Sequence, residues 1–295
     1  MIVGLDEVNK VVMVVGEPPP SLLAEGFKVV RLTQVPRILV DRKARYRPLV
    51  GGVSIGHVDV TAGTISCSVM YQNEPHLLSN AHVFHPGPWS PSPPARPEIV
   101  QPGPIDGGSL NDVVGKFIKH VPVKLEEEST CPLARLYASL GNAVSKAFGR
   151  RTRFTTRVEP ENLVDCAIAE PVKDVLETSK MPVLMDDGSK AIPSGVVGLL
   201  FAGSEPDNIY VCCKAKHVEK ELGVTFPYSL LEPVVGDKVY KSGRSTGTTQ
   251  GDVLATSMTI KVFYGKGFAL FKDQVVVRSP VAGGDSGSLV FATCS

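Results

Sequence analysis

Small residues crowd one point of this chain, and whatever fold it adopts must hold them in a tight turn. Gly283-Gly284-Asp285-Ser286-Gly287-Ser288 runs directly into Leu289-Val290-Phe291. The apolar run reads as a buried strand that anchors the turn, and the glycines let backbone N–H groups converge beside the Ser286 hydroxyl. Taken alone, the segment is equally a Gly/Ser surface loop. A serine hydroxyl becomes a nucleophile only when a base takes its proton and N–H donors receive the developing charge. Two upstream segments offer the partners. Leu77-Leu78-Ser79-Asn80-Ala81-His82-Val83-Phe84 brings a histidine to the end of an apolar stretch. Asn162-Leu163-Val164-Asp165-Cys166-Ala167-Ile168-Ala169 brings an aspartate among alternating apolar residues, as in a half-buried strand.

In that order, an Ala-His segment, a short Asp-containing strand and a Gly-Asp-Ser-Gly loop resemble the chymotrypsin-like (trypsin-fold) serine peptidases. More of the chain is similar to one branch, the bacterial and archaeal trypsin-like peptidases related to the plant Narrow leaf protein. The matching stretches are Gly51-Gly52-Val53-Ser54-Ile55-Gly56-His57, Ile99 to Gly108, and Tyr240-Lys241-Ser242-Gly243-Arg244-Ser245-Thr246-Gly247. The likeness runs from about residue 48 onward. It implies a mainly β fold of two six-stranded antiparallel barrels and a catalytic triad of His82, Asp165 and Ser286. Ser286 would attack the scissile carbonyl, His82 would move the proton, and Asp165 would fix the imidazole tautomer. The N–H groups of Gly284 and Ser286 would form the oxyanion hole, each worth roughly 3–4 kcal/mol of barrier. His76 and His85 lie near His82 but outside the family's position. Asp106 and Asp112 are rival orienters, and Asp106 sits in a Pro/Gly turn. Asp285 reads as structural.

The order of segments departs from the family. There, the nucleophile strand is followed by further strands and a closing helix. Here those pieces come early: Val196 to Ser204 resembles the strand after the nucleophile, Asn208 to Cys213 the last strand, and Lys214 to Leu222 the closing helix, with Gly223 as its C-cap. The expectation is a circularly permuted second barrel, with Val224 to Val235 as the new connection; surface termini that lie close together make such a cut cheap. The alternatives are an unrelated insertion at 196–222, which would leave open sheet edges, and strand exchange between subunits of a homo-oligomer.

With 31 basic and 30 acidic residues the net charge is +1, so no global field points to nucleic acid or an anionic membrane. No apolar run reaches the roughly 20 residues that span a bilayer, and no charged n-region with an apolar core marks a signal peptide. The expected location is cytoplasmic, with the six cysteines reduced and buried rather than bridged. Cys67, Cys131, Cys166, Cys212, Cys213 and Cys294 show no zinc-like spacing. Neither a phosphate-cradling loop nor a helical zinc motif is present. No cofactor or metal is expected; the expected partner is a protein or peptide substrate.

The expected division is a strand–helix–strand extension over 1–47, a first barrel over 48–182 with a helical insertion at about 129–157, and a second barrel over 183–295. Ile2-Val3-Gly4 invites comparison with the freed amine that activates trypsin zymogens. It is rejected, because Met1 precedes it and His82 lies about twice as far downstream as it should. The stretch Trp89 to Pro104 holds six prolines and reads as an exposed loop near the histidine, a rim for a substrate cleft. Leu133, Leu136, Tyr137, Leu140, Val144, Ala147 and Phe148 recur at helical spacing, giving one apolar stripe expected to pack on a barrel or a neighbouring subunit. The basic residues after it, Lys146, Arg150, Arg151, Arg153 and Arg157, read as a solvated helix end rather than a nucleic-acid patch.

Specificity rests on the resemblance alone. Pro280 occupies the position six before the serine, so the acidic floor that selects Lys or Arg is missing. Phe201, Ala202 and Gly203 would pair with the substrate backbone, leaving room for a medium or large apolar side chain. The rival reading is a binding or scaffold protein that keeps this fold with weak or no turnover. A third reading, an esterase of the α/β-hydrolase kind, is opposed by Ser288 where its elbow needs glycine and by the missing helix-alternating pattern.

Overall fold

The structure is a computed structural model describing residues 2–32 and 40–293. It falls into two compact units that divide after Val40. In the first unit, β1 (Ile2–Asp6), β2 (Val11–Val15) and β3 (Lys28–Leu32) form one sheet, with α1 (Pro20–Ala24) between β2 and β3. β2 and β3 run parallel, which requires a crossover, and α1 with its leading proline supplies it. Val12, Val14 and Phe27 form its core. The unit thus runs strand–strand–helix–strand. The expected extension to residue 47 includes residues 33–39, which lie outside the described residues, as does Cys294.

The second unit begins with β4 (Ser54–His57), β5 (Gly63–Thr64), β6 (Cys67–Tyr71), β7 (Glu74–Ser79), α2 (Ala81–Phe84), β8 (Glu98–Val100) and β9 (Val113–His120). A small excursion follows: β10 (Glu127–Glu128), α3 (Pro132–Ala147) and β11 (Arg157–Val158), with β10 and β11 paired at its base. Then come β12 (Glu161–Asn162) and β13 (Ala167–Pro171). The hydrogen-bonded order is β5-β4-β8-β9-β13-β7-β6. Only Ile65 and Ser66 separate β5 from β6, so these are two halves of one bent strand. The sheet therefore returns on itself as a barrel of six strands, all pairs antiparallel. Closure leaves no edge for another chain to extend.

A short hairpin, β14 (Val183–Leu184) and β15 (Lys190–Ala191), leads to the second barrel. Its elements are β16 (Gly195–Ser204), β17 (Ile209–Lys214), α4 (Ala215–Leu222), β18 (Lys238–Gly243), β19 (Gly247–Phe263), β20 (Phe268–Arg278) and β21 (Leu289–Ala292). The ring is β20-β17-β16-β21-β18-β19, and β19 pairs again with β20 to close it. β12 adds in parallel to β20 outside the ring. Val197, Leu200, Tyr210, Val253, Val275, Val277 and Val290 fill this barrel; burying each valine or leucine contributes about 1.5–3 kcal/mol. Two closed antiparallel six-stranded barrels, side by side in the chain, are the architecture of the trypsin-like fold.

Local chemistry sets several boundaries. α4 stops where Gly223 takes φ 66° and returns its N–H to the Glu219 carbonyl, as a left-handed cap requires. The segment after α4 is held by both barrels: Thr225 and Met70 exchange backbone hydrogen bonds of 2.9 and 2.8 Å, and Leu231 N–H donates to the Val196 carbonyl at 2.8 Å. Arg42, 4% exposed, donates to the carbonyls of Gly52 and Leu184 and to Ser242 Oγ, pinning the two barrels together. Cys67, Cys166, Cys212 and Cys213 are buried free thiols, while Cys131 is exposed. Of the two covers expected for α3, a barrel is not the one it has. The apolar stripe of α3 is not covered by either barrel: Leu133, Leu136, Tyr137, Leu140, Val144 and Phe148 are exposed. The helix instead packs through its small residues, with Gly141 lying against the Phe154 ring and Ser145 buried. No helix among the described residues is long and apolar enough to cross a membrane.

Candidate active site

The register of β13 against β7 pairs Ala167 with Ser79, which sets Asp165 beside the first turn of α2. That turn has N–H groups with no helical acceptor. Asp165 Oδ1 accepts from the N–H of Ala81 at 2.7 Å and of His82 at 3.3 Å. Its Oδ2 accepts from His82 Nδ1 at 2.5 Å and from the Tyr264 hydroxyl at 2.6 Å. Asn80 Nδ2 donates to the Asp165 carbonyl at 2.7 Å. A carboxylate only accepts, so the geometry fixes the His82 proton on Nδ1 and leaves Nε2 as the acceptor.

Asp165 is fully buried and the His82 side chain is 27% exposed. Burial pushes the Asp165 carboxyl up, but the field of His82 and the donors from His82, Tyr264 and Ala81 outweigh it and hold it below the usual carboxylate value. Burial opposes the His82 imidazolium; the charge and hydrogen bond of Asp165 more than compensate, and its pKa is raised. Burial, and then the neighbouring carboxylate, push Tyr264 well above an ordinary tyrosine, so it stays a donor. His76 and His85 turn to the backbone carbonyls of Glu74 and Ser92.

Ser286 sits in the loop before β21, partly exposed. Its carbonyl accepts from Thr64 N–H and the Gly284 carbonyl from Thr64 Oγ1, each at 2.8 Å. Ser79, three residues before His82, donates to the Thr64 carbonyl at 2.7 Å. One residue of the first barrel thus ties the serine loop to the strand that leads to the histidine. Gly284 and Gly287 have φ of 96° and 94°. A Cβ on Gly287 would lie 2.2 Å from the Thr64 carbonyl, so only glycine permits this approach. Among the described residues the N–H groups of Gly284 and Ser286 find no acceptor, whereas those of Asp285, Gly287 and Ser288 do. No hydrogen bond joins His82 to Ser286.

Asp285 holds the loop from beneath. It is fully buried and pairs at 3.1 Å with Lys241, itself fully buried. Thr246 Oγ1 and the N–H groups of Ser245, Thr246 and Ala282 complete its shell, and Lys241 also reaches Thr246 Oγ1. Burial pushes the Asp285 carboxyl up, but Lys241, Thr246 and the N–H donors bring it below its ordinary value. Burial pulls Lys241 down from the usual lysine range, and Asp285 resists. A second pair stands alongside. Arg244 Nε and Nη2 grip Asp106 at 2.5 and 2.6 Å. Ser54 donates to the same carboxylate at 2.6 Å and accepts from Gly103 N–H. A Cβ on Gly284 would meet Arg244 Nη1 at 2.4 Å. The three stretches around residues 51–57, 99–108 and 240–247 therefore converge on the support of one loop. Asp112 is remote from it, closing a capping box with Ser109.

A cleft of about 480 Å³ opens beside His82, lined by His85, Trp89, Phe201, Phe263 and Tyr264 among others. Lys266 lies 4.5 Å over the Trp89 ring, joining the tip between β19 and β20 to the proline-rich loop at the rim. Phe201 packs at a tilt against Phe271, with ring centroids 4.5 Å apart. Beyond Leu199, β16 has left β21 and pairs with β17 alone, so the other edge of residues 201–204 carries no strand among those described. Ala202 and Gly203 lie on that edge, and Val281 is packed against Gly203. Pro280 is exposed and outside the cleft lining. Tyr264 and Lys241 escape sequence reasoning. Only the glycines flanking Lys266 hint that Tyr264 stands at a turn, and nothing local marks Lys241 as buried. No cluster of ligating side chains among the described residues could hold a metal.

No family model matches the chain, and no curated protein matches it. Among solved structures, it is similar to a serine protease specific for glutamic acid that uses a histidine triad in substrate binding, with 17% identity over 83% of this chain and 80% of that one, at a TM-score of 0.42. It is also similar to Thermobifida fusca Protease A, with 12% identity over 83% and 77% of the two chains, at a TM-score of 0.43.

Proposed function

We propose that this chain is a serine endopeptidase. The observation that carries the reading is the His82–Asp165 couple, locked as a proton acceptor beside a loop whose Gly284 and Ser286 N–H groups are unused. Ser286 Oγ attacks the peptide carbonyl while His82 Nε2 takes its proton. The carbonyl oxygen, now negative, is received by the two N–H groups. His82 returns the proton to the leaving amine, and an acyl-enzyme forms on Ser286. Water then repeats the sequence to release the acid. The unpaired edge of residues 201–204 offers the substrate backbone a strand to pair with, and Phe201 with Trp89 supports an apolar side chain next to the cut bond. The missing His82–Ser286 hydrogen bond favours a second reading, a fold retained for binding. Such bonds commonly tighten only when substrate arrives.

A permuted second barrel belongs to the same proposal, and the ring orders support it. Numbered in chain order with β5 and β6 as one strand, the first barrel closes as 1-2-3-6-5-4. The second closes in that order only when counting starts at β18 and runs through β21 to β16 and β17. The convergence of the three matched stretches on the serine loop supports the branch related to the Narrow leaf protein.

Labelling with a fluorophosphonate is the direct test. Wild type should take one label on Ser286, lost in Ser286→Ala and in His82→Ala. A folded wild type that takes none would hand the case to the binding reading. Tyr264→Phe provides a finer check. Without its hydroxyl, Asp165 Oδ2 bears on His82 Nδ1 alone, the imidazolium gains stability, and the His82 titration followed by NMR moves to higher pH. kcat should fall about tenfold, equivalent to ~1.4 kcal/mol. An unmoved His82 titration would show that the Tyr264 hydroxyl is mere packing.

A further inference from the structure

The surface of α3 combines two features that lie far from the cleft in purpose. Its apolar stripe of Leu133, Leu136, Tyr137, Leu140, Val144 and Phe148 is more than half exposed throughout, reaching 73% at Tyr137 and 78% at Phe148. Exposed apolar residues scattered singly are ordinary, but a contiguous stripe along one helix face marks a contact. Residues 129–157 also hold six basic residues and no acidic one, although the whole chain is nearly neutral. Arg157 is paired with Glu126. Arg135, Lys146, Arg150, Arg151 and Arg153 enter no ion pair among the described residues, and all five are exposed.

The basic loop is built onto the helix rather than trailing from it. Asn142 Oδ1 accepts from Phe154 N–H at 2.7 Å and its Nδ2 donates to the Phe154 carbonyl at 2.9 Å. Ser145 Oγ donates to the Thr152 carbonyl at 2.7 Å. These bonds fold residues 150–154 back along α3, so that three arginines stand at the Val144–Phe148 end of the stripe.

We propose that α3 and the loop after it dock on an anionic lipid bilayer. A 16-residue helix is about 24 Å long, suited to lying in the interface plane with its apolar face sunk among the acyl chains and its cations near the headgroups. Charge complementarity selects this occupant. Two copies of this segment would offer each other cations and no carboxylate in any orientation, so charge does not favour a symmetric contact. A nucleic acid would use the arginines and leave the leucines idle. The near-neutral total conceals the patch, because the opposing charges lie elsewhere in the chain.

Co-sedimentation of the full chain with phosphatidylcholine vesicles, with and without phosphatidylserine, tests this. Binding is expected only when phosphatidylserine is present, and it should weaken as salt is raised. Arg150→Glu with Arg151→Glu and Arg153→Glu should reduce binding at least tenfold, and so should Leu136→Asp with Leu140→Asp. All five positions are exposed, so the thermal melts should match wild type. If a variant unfolds, the wild-type comparison of the two vesicles still decides. No pelleting, or equal pelleting with neutral vesicles, overturns the proposal. So does a dimer by light scattering that the leucine variant dissolves. Binding to a fluorescent duplex that needs the arginines but not the leucines would overturn it as well.

Discussion

Replacing Lys241 with Met is expected to cost the fold about 3 kcal/mol and peptide hydrolysis about a hundredfold or more. The methionine keeps the volume and removes the ammonium, so Asp285 stays buried with its charge opposed only by Thr246 and the backbone donors. Removing one partner of a buried pair costs about 3–5 kcal/mol, and the remaining donors argue for the lower end. Asp285 responds by turning toward water, and Gly284 turns with it, so an oxyanion donor is lost; one such donor carries about 10²–10³ in kcat. The folded Asp285 carboxyl lies below its ordinary value. The stability it contributes is therefore present at neutral pH and is lost as the pH falls below the ordinary carboxylate range. Denaturant midpoints and kcat measured on the same preparations check both effects. Wild-type values for the variant would mean that Lys241 fills space and nothing more. The pairing also bears on Ile2-Val3-Gly4: the carboxylate that a freed amine would seek already has an internal cation.

Asp165→Asn should lower kcat by about 10⁴ while leaving the fold intact. The amide oxygen can still accept from Ala81 and His82 N–H, so its nitrogen comes to face His82 Nδ1 and donates to it. The imidazole proton is then displaced to Nε2, where a base is needed. Tyr264 must also rotate, since its old acceptor has become a donor. If the proposed mechanism holds, the wild-type rate should rise with pH as His82 deprotonates, at a value raised above that of a free histidine. Removing the carboxylate removes what raises it, leaving burial to act alone, so the acid limb of the variant should move to lower pH. A variant with an unmoved limb and more than a tenth of wild-type kcat would mean that Asp165 does not orient the base.

Periodicity and turn chemistry made much of the fold legible. The β19–β20 hairpin announces itself through dense β-branched residues around Gly265-Lys266-Gly267, while α4 is expected from the family resemblance, with Gly223 marking its end. His82 and Asp165, which the structure joins by a hydrogen bond, each lie in a short local pattern. What sequence could not disclose are contacts made across great separations in the chain. The Tyr264 hydroxyl meets a carboxylate 99 residues away and Lys241 one 44 away; a tyrosine at a turn and a lysine in a strand look like surface residues until the barrels close. Pro280 stands exposed and Val281 lies against Gly203; the placement of this loop depends on packing rather than on any pattern of residue types.

The ring order of the second barrel also has a consequence for birth on the ribosome. β21 is the last of its strands to be synthesised, yet it belongs between β16 and β18, both made earlier. Until it emerges, the nascent barrel is an open, curved sheet with two unsatisfied margins. The segment that seals those margins is the one that brings Ser286. Completion of the barrel and arrival of Ser286 are therefore a single event, and a half-made chain lacks the serine loop that the proposed triad requires.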